Sequence, residues 1–247
     1  MDNFKPCANL PAPDMNASYN AAITENPTNS PPSSGSRRSK RAVGDYTKFW
    51  RAGRTLNIYF IDRLQPDDKM KFMKVFATWS EHANLHFKLS TSNTAEIRIK
   101  TTTDENFSYM GTDALLIDKT KPTMLISLLP GNEHFECTLL HEIGHAIGFY
   151  HEHAHREADI PWNQPKVYEY YKKYFNWDKS DVDINIFSRA NGSVVDTEYD
   201  KTSIMHYPVS KALTDGKWEV GINTELSAKD KHAANKCYPA NPDDVPW

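Results

Sequence analysis

No stretch of these 247 residues is apolar for anything near the ~20 positions a membrane-crossing helix requires, so membrane insertion is not expected. A basic excess is missing too. With 29 Lys and Arg against 32 Asp and Glu, a net charge of -3 offers no positive field to nucleic acid, which is not expected as a partner. Cysteine is scarce: Cys7, Cys137 and Cys237 are too few for a disulfide-stapled scaffold, and their odd number leaves at least one thiol unpaired. Whether Cys137 and Cys237 pair stays open at this point. The opening MDNFKPCANL has neither the basic flank nor the apolar core of a signal peptide, so an export signal is expected to have been removed or to lie upstream. What remains is ordinary globular material, 39% hydrophobic and 25% charged, sufficient for one large domain with an extension. A monomer is expected.

Residues 1–41 are rich in Pro, Asn and Ser, show no period of 2 or 3.6, and close with SGSRRSKR. Such a composition does not bury enough apolar surface to fold alone, so it reads as a leader ahead of a domain over 42–247. In that domain LNIYFI (56–61) predicts a strand, and Pro66 with Asp67 and Asp68 opens a helix whose apolar face is expected to carry Met70, Met73, Phe76 and Ala77. Further strands are predicted at 85–90, 95–101, ALLID (114–118) and 123–129, then helices at 133–147, 164–175 and 227–236. The fold class is therefore α+β, a mixed sheet backed by two long helices, with a looser portion beyond Gly148.

The segment HEIGHAIGFYH (141–151) lies in that helical stretch. His141 and His145, four apart, project from one face and can share an ion. Gly148 stands where a helix commonly ends on a left-handed residue, letting the chain turn back so that His151 supplies a third nitrogen. Three neutral imidazoles leave zinc a position open to water, the catalytic arrangement, and Glu142 reaches that water as general base. At ordinary residue frequencies the five matches coincide by chance less than about once in ten thousand chains.

Some fifty residues on comes SIMHY (203–207). HEIGHAIGFYHEH followed by SIMHY resembles the astacin family of metzincins, whose pattern is HExxHxxGFxHE and then a turn SxMHY. FWRAG, TWSEHANLHF and SYMG extend the likeness over about four-fifths of the chain. The resemblance implies a zincin-like fold: an N-terminal subdomain (about 42–148) with a mostly parallel twisted sheet, an irregular C-terminal subdomain (149–247), and a cleft between them. It implies one catalytic Zn2+ on His141, His145 and His151, Glu142 as catalytic residue, Met205 as an apolar floor, and Tyr207 as a displaceable ligand that also donates to the oxyanion. The function implied is a secreted endopeptidase acting on protein or peptide substrates, which would lie along an edge strand, with ALLID the candidate. A matrixin-like protease and an inactive zinc-stabilised binding module are the alternatives. Where the family continues HExxRxDRD, this chain has His155, Arg156, Glu157 and Asp159, and two family disulfides cannot be built from Cys137 and Cys237.

The basic run Arg38-Ser-Lys40-Arg41 predicts processing at Arg41–Ala42. By resemblance, the amino group freed at Ala42 would pair through water with Glu152. The family's usual inhibitory motif, FxGD, is missing from residues 1–41. Cys7, in a proline-stiffened stretch suited to a cleft, is the expected zinc ligand of the uncleaved form, since zinc deprotonates a nearby thiol. A disulfide from Cys7, a free thiol, and blockage by Asp2 or Asp14 stand beside that reading.

Overall fold

Residues 6–8, 10, 12–30, 46–102, 105–189 and 198–240 are described by the structure, a computed structural model. Five strands, β1 (Arg54–Phe60), β2 (Leu85–Leu89), β3 (Ile97–Thr101), β4 (Phe107–Ser108) and β5 (Met124–Ile126), form one sheet in the order β2-β1-β3-β5-β4. All pairings are parallel except β4 on β5, so β4 is an antiparallel edge. Along β1 the side chains alternate, Leu56, Ile58 and Phe60 entering the core. Central β3 is buried at Ile97, Arg98 and Ile99 in succession. The Arg98 guanidinium is accommodated there because the carbonyls of Ala95, Ile117, Asp118 and Lys121 accept its hydrogens.

Helices α2 (Pro66–Ser80) and α3 (Phe135–Ala146) pack on that core. Pro66 starts α2 and Asp67 and Asp68 sit at its positive end, as expected. The buried face is different from the predicted one: Phe72, Val75, Phe76 and Trp79 are inside, while Met70 is 63% exposed and Ala77 faces solvent. Trp79 Nε1 donates to the carbonyl of Leu140 (3.0 Å) and Trp50 Nε1 to that of Ala146 (2.8 Å), and the Tyr238 hydroxyl donates to Ile147. The last two satisfy carbonyls that a helix end leaves orphaned, and together they fix α3 in position.

The ALLID strand is a correction. Ala114, Leu115 and Leu116 belong to a 3-10 helix, Gly111–Leu116. Gly111 has φ +46° and any Cβ there would strike the Lys48 carbonyl, to which Thr112 N–H donates (3.0 Å). Arg98 takes the carbonyls of Ile117 and Asp118, so this run has little backbone left to offer a ladder.

Beyond Gly148 the chain is irregular around α4 (Gln164–Phe175), α5 (Lys179–Val182) with a π-helical turn at Asp183–Phe187, and α6 (Ala228–Cys237). A second apolar cluster joins Val167, Tyr171, Val182, Ile186 and Leu213 to Phe107 of the edge strand and to Cys7. All three cysteines are unpaired and buried.

The N-terminal segment departs most from expectation. A helix, α1 (Met15–Glu25), begins at Asp14, whose side chain accepts from Ala17 N–H (2.8 Å). Only Ser18 and Ala22 are buried on it, too narrow a stripe to read from sequence. It is held by polar contacts to residues 46–54 and 113: Ser18 donates to Asp113, Tyr46 donates to Ser18, and Glu25 pairs with Arg54 (3.3 Å). Asn29, 2% exposed, accepts from Thr47 Oγ1 and Phe49 N–H and donates to the carbonyls of Phe49 and Ala22. Removing a side chain that satisfies several buried groups costs about 2–3 kcal/mol. Asn29→Ala is therefore expected to speed hydrogen exchange across residues 15–25 and 46–50, whereas Asn16→Ala, at an exposed position, leaves it unchanged. Identical exchange in both variants would show that Asn29 is not the anchor.

Candidate metal centre

Helix periodicity brings His141 and His145 onto one face of α3, and Gly148, with φ +100°, turns the chain back to deliver His151. The three Nε2 atoms form a triangle with sides of 3.2, 2.9 and 3.1 Å. Nδ1 of His141 lies 2.8 Å from the Ile204 carbonyl and Nδ1 of His145 lies 2.8 Å from that of Phe149. A carbonyl only accepts, so both Nδ1 atoms carry the hydrogen and both Nε2 atoms present lone pairs to the centre. Burial reinforces this, drawing His141 down to about 4 and His145 and His151 well below the usual imidazole range. Neutral lone pairs converging at such distances repel unless a cation sits among them. Around zinc, with N–Zn bonds of ~2.0–2.1 Å, two ligand nitrogens stand roughly 3.3 Å apart. The residues therefore fit a zinc ion.

Glu142, on the next position of α3, is 1% exposed, and burial pushes its carboxyl up to about 8. The thiol of Cys7 donates to Glu142 Oε2 (3.2 Å). Cys7 Sγ and the three histidine nitrogens form a four-donor group whose atoms all lie within 4.8 Å of one another. The Tyr207 hydroxyl donates to the backbone carbonyl of Cys7, and its ring lies 4.4 Å from His151 and stacks on His153 at the same distance. Tyr207 is thus placed as a donor to a carbonyl oxygen next to the centre. Cys7 arrives there because it bridges Asn106 beside the edge strand, where Ala8 N–H donates to the Asn106 carbonyl (3.2 Å).

Met205 underlies the group, its sulfur so close to Gly144 that any Cβ there would collide with it. Asp230 holds this turn in place, accepting from Ser203 Oγ (2.6 Å) and Ile204 N–H (2.7 Å). That keeps the Ile204 carbonyl where His141 needs it. Sequence reasoning missed Asp230, although Ser227-x-x-Asp230 is a legible capping box at the start of α6. It also missed Asn106, Gly144 and Asp113. Glu152 lies nearby, its Oε1 accepting from Asp200 N–H (2.7 Å), and burial pushes its carboxyl up to about 8. Arg41 and Ala42 lie outside the described residues, as does Asp2, while Asp14 caps α1 instead of reaching the centre.

Residues 42–239 match the family model described as Astacin (Peptidase family M12A). The chain belongs to the astacin family. Among solved structures it is similar to myroilysin, with 36% identity and a TM-score of 0.73 over 78% of this chain and 97% of that one. Among curated relatives it is 35% identical over 114 residues to Protein SpAN of Strongylocentrotus purpuratus, covering 41% of this chain. To zinc metalloproteinase nas-28 of Caenorhabditis elegans it is 26% identical over 194 residues, covering 75%. It spans only 17% of SpAN and 35% of nas-28. The α+β astacin-like zincin fold stands on this likeness and on the sheet and helices above, and membership favours neither the matrixin reading nor the binding module.

This astacin departs from the family motif at His155, which is buried with its ring stacked near Tyr199. A guanidinium comes from elsewhere in the chain: Arg189 donates to the carbonyls of His155 and Ala158. The raised Glu152 carboxyl has a consequence for stability. A carboxyl that titrates near 8 when folded and near ~4.3 when unfolded holds its proton more tightly in the folded state. Its contribution therefore declines as pH rises between those values. In the intact chain, Glu152→Gln is expected to lose less melting temperature between pH 5 and pH 8.5 than the parent does. Equal losses would mean that Glu152 ionises without penalty.

Proposed function

We propose that this chain is the zymogen of a secreted zinc-dependent endopeptidase acting on protein or peptide substrates as a monomer. Residues 1–41 are its leader and 42–247 its catalytic domain, with subdomains of about 42–148 and 149–247. The observation that carries the reading is the triangle of imidazole nitrogens, two of them fixed by carbonyls, beside a buried carboxyl. His141, His145 and His151 would hold a zinc ion, which when bound would supply Lewis acidity and make water a nucleophile near neutral pH.

Glu142 takes the proton of the attacking water and passes it to the leaving amine, a role its position on α3, directly after His141, allows. Tyr207 donates to the scissile carbonyl oxygen as charge develops on it, as it donates to the Cys7 carbonyl here. Burial holds its phenol far above the usual range, so it stays a donor. An inactive binding module needs neither group, and both are present at the site.

In the uncleaved chain, Cys7 lies where the attacking water is needed and would be a fourth ligand to a bound ion. Its pairing with Asn106 and the Tyr207 bond to its carbonyl support this lock. Cutting at Arg41–Ala42 frees an amino group whose positive charge suits the buried Glu152 carboxyl, and the family match begins at residue 42.

Glu142→Ala, measured after activation, is expected to retain one equivalent of zinc and lose at least about a hundredfold in kcat, since general acid–base catalysis contributes 10²–10⁴. Near-parental turnover would remove Glu142 from the mechanism. Cys7→Ser is expected to hydrolyse casein in the uncleaved chain, where the parent does not. If the uncleaved variant stays silent, the thiol is not the lock and the leader inhibits by filling the cleft.

A further inference from the structure

Beyond Cys7 the N-terminal segment runs alongside a recess of about 690 Å³ that opens onto His151 and that none of the catalytic groups uses. Ala8 and Leu10 both line it. Leu10 packs with the aromatic cluster around Tyr171, against which Trp177 stacks with ring centroids 5.1 Å apart. Met110, Trp177 and Ile184 supply apolar wall.

The polar side chains of the wall are engaged by the protein itself. Lys48 pairs with Asp113 (2.6 Å), Asp181 accepts from Asp178 N–H (2.8 Å), Asn185 donates to the Asp181 carbonyl (2.8 Å), and Arg189 donates to two carbonyls. Between these engaged groups, the part of the wall that an incoming side chain meets at Met110, Trp177 and Ile184 is apolar. At the rim Ile184 is 54% and Tyr150 37% exposed, an apolar display at the mouth of a cleft. Ile184 stands on the π-helical turn Asp183–Phe187, a geometry that recurs at functional sites.

We propose that this recess is a specificity subsite for a bulky apolar side chain, with Leu10 occupying it in the uncleaved chain. The proposal rests on the endopeptidase reading and names its substrate class. The N-terminal segment pairs parallel to the edge strand, and a substrate running the other way gains the stronger antiparallel ladder. The subsite then takes a residue two to four positions before the scissile bond.

The test uses fluorogenic peptides carrying Leu, Phe, Ala or Asp at those positions and the activated protein. Leu or Phe is expected to exceed Ala by about tenfold or more in kcat/KM at one of them. Ile184→Asp, at an exposed site that tolerates the change, is expected to bring that ratio close to one. A second readout needs no catalysis: in the intact chain, Leu10→Asp is expected to speed labelling of Cys7 by a maleimide about tenfold, located by mass spectrometry, while Leu10→Phe leaves it slow. Cleavage without preference at these positions overturns the subsite and spares the endopeptidase, as does a ratio unchanged by Ile184→Asp. If no peptide is cleaved, the endopeptidase reading fails, and equal Cys7 labelling in the two Leu10 variants then overturns occupancy of the recess as well.

Discussion

Three imidazole nitrogens face one another at 2.9 to 3.2 Å, and the fold leaves them little room to turn away. His141 is held by a carbonyl of the Met205 turn and His145 by one just past its own helix, so each ring is fixed at its outer nitrogen. The turn is held by Asp230, and the helix by the indoles of Trp50 and Trp79. Such preorganisation stores repulsion that a cation relieves, so metal affinity and folding stability are coupled. The sheet, the two long helices and the irregular lower half all serve to hold these three nitrogens at one point.

The N-terminal segment grips the molecule at two separate places, both by polar contacts. At the centre, Cys7 enters a buried polar group made of histidines, Glu142 and Tyr207. On the far side of residue 10, α1 and Asn29 hold the first described residues of the matched domain through hydrogen bonds and the Ser18–Asp113 contact. Polar anchoring of this sort is directional and orders the partner segment, whereas the apolar recess offers surface without direction.

Much of the centre was legible because its chemistry obeys local spacing. Four residues on a helix put His141 beside His145, a glycine admits φ +100° at Gly148, and α4 was readable to its end residues. What escaped depends on contacts far apart in sequence. The edge strand is two residues long, Phe107–Ser108, too short for a period to show. ALLID has the apolar texture of a strand, yet its first three residues close a 3-10 helix and Arg98 claims the carbonyls of the last two. Helix α1 exists through tertiary bonds to residues 46–54 and Asp113, which composition does not reveal. On α2, the stripe through Met70 and Ala77 competed with the one through Phe72 and Trp79, and the larger rings took the core.

The most direct test of the account is zinc K-edge X-ray absorption on the intact chain and again after removal of residues 1–41. The account predicts three nitrogen scatterers at ~2.0–2.1 Å and one sulfur at ~2.3 Å before cleavage, with the sulfur replaced by oxygen afterwards. Two or more sulfurs, or a first coordination sphere that leader removal does not alter, would contradict it.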